Sequence, residues 1–157
     1  MRGALGLSAV LSLVAAVGSS TIPFKRCDYS HKFGVEKVVI SPDPPRAGEL
    51  LQMTYTTNPR KPYFYTSGSI QQDVSLDGII LDSLKYDLCK VGHCPVLNEP
   101  QDWNISYTPP SAVSGKNLDF TTYFLNEVGV KMDCVSFGMT FSTFSEDFTR
   151  NATTPQH

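Results

Sequence analysis

The chain has 157 residues, 41% of them apolar, with 13 basic against 15 acidic side chains. That length suits a single domain, large enough after loss of a leader to bury a core and hold a cavity within it. A net charge of -2, with Lys25-Arg26 and Arg60-Lys61 as the adjacent basic pairs, argues against a nucleic-acid partner, because a phosphate backbone demands a basic face.

Met1-Arg2, the apolar run Ala4 to Val17 and the small residues Gly18-Ser19-Ser20 predict a secretory signal peptide over residues 1–20. The run, at about 14 residues, is shorter than the ~20 that span a bilayer. No later segment is apolar enough to span one, so the expectation is a soluble domain over residues 21–144. Residues 145–157 form a polar tail with too few apolar side chains to fold alone.

Within the domain the hydrophobic period is two. Val38 and Ile40 alternate before Pro42, Pro44 and Pro45. Leu51, Met53 and Tyr55 alternate with Gln52, Thr54 and Thr56, a half-buried strand that ends at Asn58-Pro59. Ile70, Val74 and Leu76 share a phase up to Asp77-Gly78, a hairpin turn signal, and Ile80 to Leu88 reads as the return strand. Trp103, Ile105 and Tyr107 alternate until Pro109-Pro110. Leu118, Phe120 and Phe124 share one face, Asn126 to Gly129 turns, and Val135, Phe137, Met139 and Phe141 share another. About seven strands at this spacing, without a sustained helical period, predict an all-β fold, an antiparallel sandwich.

Asn104-Ile105-Ser106 and Asn151-Ala152-Thr153 are N-glycosylation sequons. Asn104 lies out of phase with Trp103 and Ile105, so a sugar there points outward; Asn151 lies in the tail. Four cysteines, Cys27, Cys89, Cys94 and Cys134, are an even number in an exported chain. They allow three pairings, and spacing alone does not choose. A local clip between Cys89 and Cys94 is the first guess and leaves Cys27 to meet Cys134. Zinc is the rival, since His93 adjoins Cys94, but a second close ligand pair is missing.

Chemistry-bearing patterns are sparse. His31, His93 and His157 lie in no nucleophile motif, and Asp73, Asp77, Asp82 and Asp87 lack the dense spacing of a calcium loop. The residues point away from an enzyme, a metal site or a bound cofactor.

The stretch from Val38 through Ser41-Pro42-Asp43-Pro44-Pro45-Arg46-Ala47-Gly48 to Glu49 resembles the start of ML (lipid-recognition) domains, in particular the phosphatidylglycerol/phosphatidylinositol transfer proteins. Cys27-Asp28, Asp87-Leu88-Cys89 followed by Cys94-Pro95, and a closing hairpin from Leu118 to Phe141 with Cys134 in its last strand match in order. The lysosomal sterol carrier of Niemann-Pick type C disease belongs to the same family. The resemblance implies an immunoglobulin-like sandwich whose sheets part to hold one lipid, and it supports the bridges Cys27–Cys134 and Cys89–Cys94. Many members carry a third bridge between the first two strands; this chain has Asp43 and Ala47 in that region and lacks it, an absence that resembles the phospholipid-transfer branch.

The resemblance also implies a pocket lined by Leu51, Met53 and Tyr55, by Leu118, Phe120 and Phe124, and by Val135, Phe137 and Met139. Strand alternation adds Ile70, Val74, Leu76 and Ile80. The expected function is a secreted or lumenal protein, outside the cell or in a lysosome- or vacuole-like compartment, that carries a phospholipid or sterol between membranes as a monomer. A subunit presenting lipid to a receptor and a structural sandwich with a filled core are the alternatives. Arg60, Lys61, Tyr63, Phe64 and Tyr65 join a basic pair to three aromatics and are the expected membrane-docking segment.

Overall fold

The computed structural model describes residues 18–27, 30–59, 65–97 and 99–143. Their strands are β1 (Gly18–Thr21), β2 (Lys25–Arg26), β3 (Val35–Asp43), β4 (Leu51–Thr57), β5 (Gly68–Leu76), β6 (Ile79–Asp87), β7 (Gln101–Tyr107), β8 (Asn117–Asn126) and β9 (Lys131–Thr140). A single helical turn, α1 (Leu88–Val91), follows β6. The strands form two antiparallel sheets, of order β1-β3-β4-β7 and β2-β9-β8-β5-β6. The all-β sandwich expected from the alternation is the fold present.

The period-two pattern becomes burial directly. Along β4, Leu51, Met53, Tyr55 and Thr57 are buried, and along β7 every odd residue from Gln101 to Tyr107 is buried while every even one is exposed. Tyr55 pairs with Trp103 and Met53 with Ile105 across the β4–β7 ladder. The facing layer of the other sheet is Ile70, Val74, Leu118, Phe120, Phe124, Val135, Phe137 and Met139. Each such side chain contributes roughly 1.5–3 kcal/mol by leaving water.

Asp77 and Gly78 close the β5–β6 hairpin with φ of 51° and 80°. Two positive φ values match the right-handed twist of the strands, which explains Asp-Gly at this turn. Just beyond it the register slips: Val74 pairs with Asp82 but Ser75 pairs with Ile80, leaving Leu81 as an extra residue in β6. A bulge of this kind reverses the strand's phase. It corrects the expectation for Ile80, which lies on the outer side and is 61% exposed. The return strand also ends earlier than expected. Asp87 caps α1 by accepting from the Cys89 backbone N–H at 2.9 Å, and Leu88 is buried as part of that turn.

Both disulfides join the expected partners, Cys27–Cys134 and Cys89–Cys94, each with its Cα atoms 5.2 Å apart. The first closes a loop of 107 residues' separation and is worth on the order of 4–5 kcal/mol in the chain-entropy model. The expected end of the leader at residue 20 falls inside β1. Of the β1–β3 pairing, a chain starting at Thr21 keeps the Thr21–Val39 pair and, beyond the strand, the hydrogen bond from the Ile22 N–H to the Val38 carbonyl at 3.0 Å.

Candidate functional site

The inner layer between the sheets differs at its two ends. At the end where β8 turns into β9, Phe33 stacks on Phe124 at 5.2 Å and on Tyr65 at 5.4 Å, and meets Trp103 edge-on at 6.3 Å. Asp133, fully buried, takes hydrogen bonds there from the backbone N–H of Val35 and of Cys134, and pairs with His31 at 3.1 Å. The clipped loop containing Gly92 covers Trp103. This end is plugged.

The opposite end carries the β5–β6 hairpin. Ile79, Ile80 and Leu81 are 69%, 61% and 45% exposed there, three large apolar side chains in succession. Leu76, on the other side of the two turn residues Asp77 and Gly78, is half-buried against the core. On one flank the chain between β1 and β2 crosses from one sheet to the other. On the opposite flank β6 and β7 are the unpaired outer strands of their sheets. This seam is crossed by the Tyr86 hydroxyl, which donates to the Ser106 carbonyl at 2.7 Å. Burial, helped by Asp82 and Tyr107, pushes the Tyr86 phenol up to about 12, and burial with Asp82 also raises Tyr107. Both phenols are therefore neutral hydrogen-bonding groups at ordinary pH.

Midway along the sandwich lies a small polar island. Tyr55 from one sheet meets Thr122 from the other at 2.8 Å, and Gln72 donates through Nε2 to the Tyr55 hydroxyl at 3.0 Å. All three are fully buried. Burial raises the Tyr55 phenol well above its ordinary value, against the opposing effect of its bonds to Thr122 and Gln72, so it stays protonated. Around the island the rings are close: Phe120 stacks on Phe137 at 5.5 Å, and Tyr55 meets Phe124 at 6.0 Å and Phe137 at 6.3 Å. Among the described residues no cluster of His, Cys, Asp and Glu could hold a metal ion, and no helix is long and apolar enough to cross a membrane.

No family model matches the sequence, and no curated protein matches it. Among solved structures the chain is similar to a Niemann-Pick type C2 protein from the Japanese carpenter ant, at a TM-score of 0.58 and 16% identity, over 77% of this chain and 100% of that one. The chain has the Niemann-Pick type C2 fold. Chicken MD-1 complexed with lipid IVa is also similar, at a TM-score of 0.49 and 13% identity, over 77% of this chain and 95% of that one.

Within this Niemann-Pick type C2 fold, Leu51, Met53, Tyr55, Ile70, Val74, Leu118, Phe120, Phe124, Val135, Phe137 and Met139 come together between the sheets. Leu76 stands half-buried at the hairpin end of this layer, and Ile80 stands outside it. Arg60, Lys61, Tyr63 and Phe64 lie outside the described residues, as does Asn151. Tyr65 turns inward onto Phe33. Asn104 is exposed on β7, with its Oδ1 accepting from Thr54 at 2.8 Å. Sequence reasoning missed Gln72 and Thr122, although each sits in phase with apolar neighbours it did choose: Gln72 between Ile70 and Val74, Thr122 between Phe120 and Phe124. It also missed Phe33, Leu88 and Val96, buried residues on non-repetitive segments where no period exists to find them.

Proposed function

We propose that the protein is an exported carrier that holds a lipid, a phospholipid acyl chain or a sterol, between its two sheets and passes it between membranes. The observation that carries this reading is the exposed run Ile79-Ile80-Leu81 at the hairpin end, beside the unpaired β6–β7 seam. A soluble monomer seldom leaves three successive large apolar side chains in water without a surface to meet them. The interior behind them is lined by side chains that offer a lipid apolar contact and offer a reaction nothing.

Each methylene a lipid brings out of water is worth about 0.8 kcal/mol, so a buried chain is held without charged contacts. Entry requires the stacked rings to part, and the seam bridged by Tyr86 and Ser106 is where the sheets lack ladder hydrogen bonds. Two bridges, an outward-facing Asn104 sequon and an apolar N-terminal leader are consistent with export to an oxidising compartment. The resemblance to ML domains read from the sequence makes lipid the ligand class to test.

The test is organic extraction of the protein purified from a eukaryotic secretion host, followed by mass spectrometry, with transfer of a fluorescent phospholipid between vesicles measured in parallel. Stoichiometric lipid and protein-dependent transfer are expected. A lipid-free protein that neither binds nor transfers the probe would leave a filled structural sandwich.

A further inference from the structure

Gln72 is the feature of the interior that an apolar lipid site does not explain. It sits at the centre of β5 with no exposed surface. Its Nε2 lies 3.0 Å from the Tyr55 hydroxyl, 3.3 Å from Thr122 Oγ1 and 3.4 Å from the Met53 sulfur. Its Oε1 is buried without a partner. Rotating the amide by half a turn does not remove the defect: Oε1 then accepts from the Tyr55 hydroxyl, and Nε2 is left without an acceptor. In either setting one pole of the amide is unpaired in a surrounding of rings, where buried polar atoms are nearly always hydrogen-bonded.

We infer that this pole receives a hydroxyl group carried on the apolar body of the bound lipid, making Gln72 a specificity-determining residue of the site. The inference rests on the carrier reading above and deepens it. A hydroxyl is both donor and acceptor, so it satisfies the amide in either setting. A carbonyl accepts only and suits one setting. A phosphate or carboxylate brings a charge, and Tyr55, Gln72 and Thr122 contain no cation to offset it. The island sits midway along the interior, away from the exposed hairpin, so the hydroxyl belongs on the lipid's buried portion rather than on a headgroup at the mouth.

The experiment uses the whole exported protein loaded with cis-parinaric acid, an unhydroxylated fluorescent fatty acid. It is displaced by stearic acid and by a series of hydroxystearic acids with the hydroxyl at successive carbons. At least one hydroxystearate is expected to displace the probe at about tenfold lower concentration than stearate, the worth of one hydrogen bond made to an otherwise unpaired group. Gln72→Leu, which keeps the size and removes the amide, should bring that ratio close to one. Equal displacement by stearate and every hydroxystearate in the unmutated protein overturns the inference and assigns the pole to something else, such as a trapped water. A preference that survives Gln72→Leu overturns it as well. The comparison in the unmutated protein decides the matter even where the variant fails to fold. If parinaric acid does not bind at all, it is the carrier reading that falls, and this inference with it.

Discussion

Gly92 lies against the six-membered ring of the Trp103 indole with no room for a methyl group between them. The contact joins two local devices. The Cys89–Cys94 bridge holds the loop that carries Gly92, and Trp103, fully buried on β7, anchors its ring by donating from Nε1 to Thr57 Oγ1 at 2.9 Å. Gly92 has an extended backbone that any residue can adopt, so its requirement is for space rather than for an unusual turn.

Gly92→Ala should therefore cost about 1–3 kcal/mol, the usual range for overpacking a filled site. Urea unfolding followed by Trp103 fluorescence measures it. A midpoint equal to that of the parent would mean that the loop lifts freely from the indole.

At the same plugged end, Asp133 ties three segments together: β9 through its own chain, β3 through the Val35 N–H at 3.3 Å, and the segment before β3 through His31 at 3.1 Å. Removing the carboxylate takes the acceptor from the Val35 and Cys134 N–H groups and frees the imidazole. Asp133→Ala is expected to cost about 3 kcal/mol. His31 is about one-third exposed, and its replacement by alanine leaves Asp133 its two backbone donors, so about 1 kcal/mol is expected there. Denaturant midpoints of the two variants test the order; equal losses would show that the backbone bonds to Asp133 contribute little.

The two ends of the sandwich differ in how far the sequence discloses them. Strand phase was legible wherever alternation runs unbroken, as in Leu51-Met53-Tyr55 and Trp103-Ile105-Tyr107, because one side of each strand must be dry. The Asp77-Gly78 turn was legible because few residue pairs accept two positive φ values. Ile80 was misplaced because a one-residue bulge at Leu81 inverts the phase, and a bulge is a property of the pair of strands, visible only in their register. Gln72 and Thr122 were passed over for the opposite reason: their phase was correct, but their polarity argued for water, and only the partner Tyr55 across the sandwich makes their burial intelligible. Tyr65 looked like part of an exposed aromatic loop because its stacking partner Phe33 is 32 positions away in the sequence.

The exposure of Ile80 makes the β5–β6 hairpin a candidate membrane contact beside the segment 60–65 expected from the sequence. Ile80→Asp should leave stability within about 0.5 kcal/mol, since the side chain is already in water, and slow vesicle-to-vesicle lipid transfer several-fold. Phe137→Asp makes the opposite comparison. Phe137 is stacked on Phe120 inside the sandwich, and an unpaired carboxylate there should abolish lipid binding or folding. Transfer rates and urea midpoints measured on both proteins separate docking from holding. Unchanged transfer by the Ile80 variant would remove the hairpin as the docking element.

The phenols give the fold an alkaline limit with a defined sign. Burial, with help from Asp82 and Tyr107, raises Tyr86 from 10.0 to about 12, and burial raises Tyr55 further against its bonds to Thr122 and Gln72. Below pH 10 both groups hold their protons in the folded and the unfolded chain, and neither makes stability depend on pH. Above pH 10 the unfolded chain releases these protons while the folded chain keeps them, so the folded state binds more protons and stability falls as pH rises toward 12. Tyr55→Phe removes the more deeply buried of the two. It should cost about 1 kcal/mol at pH 8, where the hydroxyl's bonds to Thr122 and Gln72 are lost, and should flatten the decline above pH 10. Urea midpoints at pH 8, 10 and 11, with tyrosinate absorbance followed on the same samples, give both quantities. A variant whose stability falls in parallel with the parent's would place the alkaline limit outside the Tyr55–Thr122–Gln72 island.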